Sequence, residues 1–168
     1  MNLFVDLARK SIETFVKEGT ILEIPKDLPA DMQKQAGVFV SIKKHGALRG
    51  CIGTFAPTTK NIAEEIIRNA IEASTRDPRF VPISKNELNE LEISVDVLSS
   101  PEPVANKKEL DAKRYGVIVK SGNRRGLLLP DLEGVETPDE QIEICRKKAG
   151  IPHNDPIELF RFEVHRHK

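Results

Sequence analysis

The sequence predicts an α+β protein made of antiparallel hairpins with packed helices, and three observations carry the prediction. Two glycine-entered, β-branched runs, Gly37-Val-Phe-Val and Gly116-Val-Ile-Val, are each followed closely by a second extended run. Leu91, Ile93, Val95 and Val97 alternate with Glu92, Ser94 and Asp96, the period-two pattern of a half-buried strand. Hairpins of this kind outnumber strand–helix–strand crossovers, which argues against a doubly wound parallel sheet.

Taken in order, Phe4, Leu7, Ala8, Ile12, Phe15 and Val16 recur at helical spacing and define an amphipathic helix stopped near Gly19. Pro25 and Pro29 mark an extended connection. A strand from Gly37 turns at His45-Gly46 and returns over Ala47 to Thr54. Asn61 and Glu64 have capping-box spacing for a second helix, whose stripe is Ile62, Ile66, Ala70 and Ala73. That helix ends by Asp77-Pro78. Ser84 and Glu87 form another box before the strand at Leu91. Pro101 and Pro103 divide the chain, and Asn106 with Glu109 predicts a short helix over Lys107 to Lys113. Gly116 to Lys120 and Gly126 to Leu129 read as a second hairpin. Thr137, Pro138 and Glu140 supply cap, first-turn proline and box partner for a last helix, closed by Gly150 with Ile151 beyond it. A final strand runs from about Ile157 to His165. The Gly-Val echo between the hairpins is short enough to reflect ordinary strand entry.

The chain has 168 residues, enough for one domain or two small packed lobes with a core that needs no metal or disulfide. Lys plus Arg and Asp plus Glu number 26 each, so no broad attraction to nucleic acid or anionic membrane is expected. Met1 to Val16 mixes charges into its apolar residues, unlike a signal-peptide core, and no run is apolar enough to span a bilayer. Two cysteines, Cys51 and Cys145, make no disulfide framework, so both are expected to be free thiols in a cytoplasmic protein.

The most informative segment is Leu48-Arg-Gly-Cys-Ile-Gly-Thr-Phe55. Gly50 and Gly53 remove side-chain bulk and let a backbone or a ligand approach. Strand alternation places Arg49 and Cys51 on one outward or cleft-facing side and turns Leu48 and Ile52 into the core, provided no bulge intervenes. A thiol beside a guanidinium can serve as nucleophile and anion anchor. The bland alternative makes Cys51 a small hydrophobe and pairs Arg49 with a carboxylate. Arg76, Asp77 and Arg79 form a second unusual segment, able to hold an anion or simply to lock a helix-ending turn with ion pairs. Cys145 reads as a helix core residue. His165 and His167 lie two apart on the last strand and could chelate from one face, but a solvated terminus is commoner, and no zinc motif occurs, so no metal or cofactor is expected. Arg124, Arg125, Arg146, Lys147 and Lys148 give a weak nucleic-acid reading, which neutral charge opposes.

The Leu48–Phe55 string resembles the signature of the AMMECR family, whose bacterial and archaeal members are called protein A of the AmmeMemoRadiSam system. Gly37-Val-Phe-Val, Arg76-Asp-Pro-Arg-Phe80, Leu91-Glu-Ile-Ser-Val-Asp-Val97, Arg125-Gly-Leu-Leu-Leu-Pro130 and Cys145-Arg-Lys-Lys-Ala-Gly150 resemble family segments in the family's order. Val81 before Pro82 departs from the usual pattern. The resemblance covers nearly the whole chain and implies one AMMECR-type domain over residues 1–168, with two unequal lobes around a cleft that Arg49-Gly-Cys-Ile-Gly53 lines. It brings no settled activity. It does imply a pathway shared with Memo-family and radical S-adenosylmethionine proteins, and those are the candidate partners. Two functions follow. In the first, the cleft binds a small anionic ligand or a protein segment through Arg49, Gly50, Gly53, Arg76, Asp77 and Arg79. In the second, Cys51 is the nucleophile of an enzyme, with arginines stabilising charge.

Overall fold

In a computed structural model, residues 2–168 are described, and the chain divides into two compact units. One comprises Met1–Val97 with His165–Lys168, the other Leu98–Val164.

The first unit starts with α1 (Leu3–Glu18), whose leading N–H groups are capped by Asn2 and which ends at Gly19 with φ 72°. A four-residue helix, α2 (Ala30–Gln33), follows Pro29 in what the sequence suggests is only an extended connection. β1 (Val38–Lys44) and β2 (Ala47–Thr54) form the hairpin, and α3 (Ile62–Thr75) follows. Asn61 caps α3 by accepting from the Glu64 N–H, but the Glu64 carboxylate faces the Lys60 N–H instead of returning the bond to Asn61. A 3-10 turn at Lys85–Glu90 carries the complete Ser84/Glu87 capping box and leads into β3 (Leu91–Leu98). The sheet order is β2-β1-β3-β8, where β8 is Val164–His167. Helix α3 packs on β1 and β2, and α1 packs on α3. Val38, Val40 and Ile42 from one face of β1 meet Ile66, Ile67 and Ala70 in the core.

The second unit contains β4 (Glu102–Val104), β5 (Gly116–Ser121), β6 (Arg124–Leu128), α4 (Pro138–Ala149) and β7 (Glu158–Phe162), in the sheet order β4-β7-β5-β6. Pro103 lies within β4, which is tolerated because β4 is an edge strand. The expected helix over Lys107 to Lys113 shrinks to a 3-10 turn at Lys107–Glu109. There Asn106 accepts from Lys108 and Asp111 accepts from Lys113, local bonds that compete with helix.

The Gly-Val echo belongs to a larger recurrence. Each unit reads hairpin, helix, third strand, with the hairpin's second strand at a sheet edge (β1-β2-α3-β3 and β5-β6-α4-β7). The fourth strand is exchanged: β4, which follows β3, completes the second unit's sheet, and β8, which follows β7, completes the first's. For this reason the expected single strand over Ile157 to His165 is split at Glu163, whose N–H and C=O both bond Ser99.

Candidate functional site

The β1–β2 turn uses two consecutive positive-φ residues, His45 at 51° and Gly46 at 79°, the backbone a tight hairpin requires. Just beyond it the register shifts. Gly50 lies opposite Ile42 and Leu48 opposite Lys43, so Arg49 is the extra residue of a bulge. The alternation expected from sequence therefore fails upstream of Gly50. Ile52, opposite buried Val40, packs on the core as expected, but Leu48 is exposed at 41%. Cys51 lies opposite Ser41, on the face turned away from α3. Arg49 reaches instead to the chain leaving α3, where Ile83 is hydrogen-bonded to Ser74. The bulge thus takes Arg49 out of the regular pairing that holds Cys51 opposite Ser41.

The two motif glycines are explained by packing. A Cβ on Gly50 would lie 2.1 Å from the Ala73 carbonyl oxygen of α3, and one on Gly53 would lie 2.2 Å from the Phe39 ring. In the other unit Gly126, which also follows an arginine, would meet the Cys145 carbonyl of α4 at 2.1 Å. The Arg-Gly pairs mark where a strand and its helix touch backbone to backbone.

All three nitrogens of the Arg49 guanidinium donate. Nε and Nη2 donate to the two carboxylate oxygens of Glu87 at 2.9 and 3.1 Å, Nη1 donates to the Val81 carbonyl at 2.8 Å, and Nη2 also approaches the Pro82 carbonyl. Glu87 also accepts from the Ser84 N–H and from Lys44 Nζ. Its pKa is lowered to about 2, chiefly by the Arg49 hydrogen bonds, against the opposing effect of burial. Asp77, whose side chain is 2% exposed, accepts from Arg79 N, Nε and Nη2 and from the Cys51 N–H at 3.0 Å. The Arg79 hydrogen bonds hold this carboxyl well below the usual carboxylate range, while burial opposes them. Arg79 Nη2 also donates to the Cys51 carbonyl at 3.3 Å. β2 is an edge strand, and the Asp77–Arg79 pair satisfies both main-chain groups that Cys51 turns outward, in place of a neighbouring strand. Arg76 does not join this group. It is exposed and pairs with Glu72 one turn back on α3.

Half-buried Cys51 has its sulfur 3.2 Å from Ser41 Oγ, the only hydrogen-bond partner of Sγ among the described residues. A serine hydroxyl is not a general base at neutral pH. His45 bonds Glu90, His153 faces Glu143, and His167 stacks on Phe4. The Asp77–Arg79 pair is thus bonded to the motif's backbone, the Arg79 guanidinium also interacts electrostatically with Cys51, and among the described residues no base is bonded to the thiol. Cys145 is fully buried, and desolvation pushes its thiol up to about 11. Both cysteines are free. Among the described residues, no group of three or more His, Cys, Asp or Glu could hold a metal ion. No helix among the described residues is long and apolar enough to cross a membrane. Of the basic residues behind the nucleic-acid reading, three bond carbonyls: Arg124 that of Gly150, Arg146 those of Pro152 and Asp155, and Lys148 that of Leu127.

Two features were not apparent from sequence. Glu65 is buried with its carboxylate filled by the hydroxyls of Thr54, Thr58 and Thr59 and by the N–H groups of Thr58 and Thr59, which fixes the chain leaving β2. The Thr58-Thr59 pair was its only sequence signal. In addition, five large apolar side chains are exposed among the described residues, and three of them, Leu48, Phe55 and Val81, lie in the motif or just after Phe80. Leu48 precedes Arg49 in the chain, and Arg49 donates to the Val81 carbonyl.

The AMMECR1 family model matches residues 5–167. A protein of Thermotoga maritima is 51% identical over 168 residues, covering 98% of this chain and 97% of its own. A Clostridium acetobutylicum protein is 53% identical over 98% of this chain, which spans 36% of that longer protein. The crystal structure of an uncharacterised Pyrococcus horikoshii protein matches with a TM-score of 0.86 at 33% identity, covering 97% of this chain and 88% of the other.

Proposed function

This chain belongs to the AMMECR1 family, and we propose that it is a binding protein that holds a segment of a partner protein against the motif, without using Cys51 as a nucleophile. The observation that carries this reading is the exposure, at 41% and 76%, of Leu48, which precedes Arg49, and of Val81, whose carbonyl Arg49 holds. A contiguous exposed apolar patch marks an interaction site, and these two side chains are read as part of one. The segment is favoured over a small anion because Arg49 and Arg79, the two guanidinium groups closest to the motif, are each neutralised by a carboxylate. The enzyme alternative needs a base at Sγ, and the partner there is Ser41.

The partners to try are the Memo-family and radical S-adenosylmethionine proteins of the same genome, titrated by calorimetry. One of them is expected to bind. A Leu48→Asp/Val81→Asp variant should weaken that binding about 30-fold or more, as for loss of a hot spot worth about 2 kcal/mol. Cys51→Ser should stay within about twofold of the parent on the same scale. Equal loss in Cys51→Ser, competition by inorganic phosphate, or no binding by either protein would count against the proposal.

A further inference from the structure

The first unit is fastened at β8 by an arrangement that depends on one proton. Asn2 Oδ1 accepts from the Phe4 and Val5 N–H groups at 3.0 and 3.3 Å, as the cap of α1. This fixes which way the Asn2 amide faces, so its Nδ2 must be the group 3.1 Å from His167 Nδ1. An amide nitrogen can only donate there. His167 Nδ1 must therefore accept, which makes the ring neutral with its proton on Nε2. The ring also lies flat on Phe4, with centroids 3.9 Å apart and planes 9° apart. One residue earlier, Arg166 makes a two-pronged contact with buried Asp96 of β3 at 2.8 and 3.0 Å.

We propose that Asn2, Phe4 and His167 form a proton-operated clasp that holds β8 to the start of α1 when His167 is neutral and loosens when Nδ1 is protonated. Protonation sets one donor against another. The Asn2 amide can then recover a bond to His167 only by turning its oxygen away from the Phe4 and Val5 N–H groups, which uncaps the helix. The groups facing the ring divide: Asp31 on α2 and Asp96 on β3 favour the charged form, while burial and His165 on β8 itself oppose it. Burial is the largest influence, and the result is a ring that is harder to protonate than an ordinary histidine. A group with its folded pKa depressed leaves stability intact above the unfolded value, about 6.5, and costs stability as pH falls below it.

The test is an NMR titration of His167 together with the backbone amides of Phe4, Val5 and Arg166. The ring should show the Nε2–H tautomer and a midpoint below about 6.5, and the three amides should shift with the same midpoint. Asn2→Ser keeps a good helix cap but removes the amide nitrogen that reaches His167, so the midpoint should rise by about half to one pH unit, the equivalent of one net hydrogen bond. Asn2→Asp, which keeps the cap and offers an acceptor, should raise it above about 6.5. An Nδ1–H tautomer, a parent midpoint at or above that value, no response to Asn2→Ser, or amides that ignore the ring's titration would overturn the proposal.

Discussion

Gly50→Ala is the perturbation that separates a glycine placed for packing from one placed for a ligand. The added Cβ would stand 2.1 Å from the Ala73 carbonyl oxygen, against an ordinary contact of 3.4 Å, so about 1.3 Å must be recovered. The obstacle is backbone in the last turn of α3, so no side-chain rotation can relieve it. Either the helix moves off a core containing Ile42, Ile66 and Ala70, or β2 moves off β1. Overpacking typically costs about 1–3 kcal/mol, and a backbone clash of this depth belongs at the upper end, about 3 kcal/mol. With a urea slope of about 2 kcal/mol/M, the midpoint should fall by about 1.5 M. Gly53→Ala is the comparison, because its Cβ meets the Phe39 ring, a side chain able to shift, and its loss should be about half as large. A Gly50→Ala protein as stable as the parent but unable to bind partner would refute the reasoning and return Gly50 to a ligand-contacting role.

Two further outcomes follow from the same geometry. Glu87 has its pKa lowered from an unfolded value near 4.3 to about 2, so its contribution is complete above about pH 4.3 and is lost as pH falls through about 2; in urea titrations, the stability gap between the parent and Glu87→Gln should be about 3 kcal/mol at pH 6 and shrink to under about 0.5 kcal/mol by pH 2. Cys145, buried and pushed up to about 11, should resist alkylation at pH 8 in the native protein, and Gly126→Ala, whose Cβ would strike the Cys145 carbonyl at 2.1 Å, should speed that alkylation at least tenfold.

What could be read from the sequence was local. The hairpins, the period-two strand at Leu91 and the caps at Ser84 and Thr137 all depend on residues within a few positions of one another, and each appears in the structure. The Ser84/Glu87 box was visible, but not that Glu87 also receives Arg49 from 38 residues away. The bulge was invisible for a related reason. One extra residue at Arg49 reverses every side chain upstream of it, and nothing in Leu48-Arg-Gly-Cys announces the insertion. The exchange of β4 and β8 was also hidden, because strand partners are long-range and the run from Ile157 to His165 has the pattern of a single strand. Pro103 was read as a breaker, which holds for central strands and not for an edge. Cys51 drew attention as a lone thiol beside arginines, but Arg79 is committed to the Cys51 main chain and to Asp77.

The central claim is that the charges at the motif are committed to its backbone and that the thiol has Ser41, not a base, as its partner. It is tested by the alkylation rate of Cys51 at pH 6 in a Cys145→Ala background, with the same protein unfolded in urea as the reference. The account predicts a native rate no higher than the unfolded one and little change in Arg79→Ala. A native rate more than tenfold above the unfolded rate, with the excess abolished by Arg79→Ala, would contradict it.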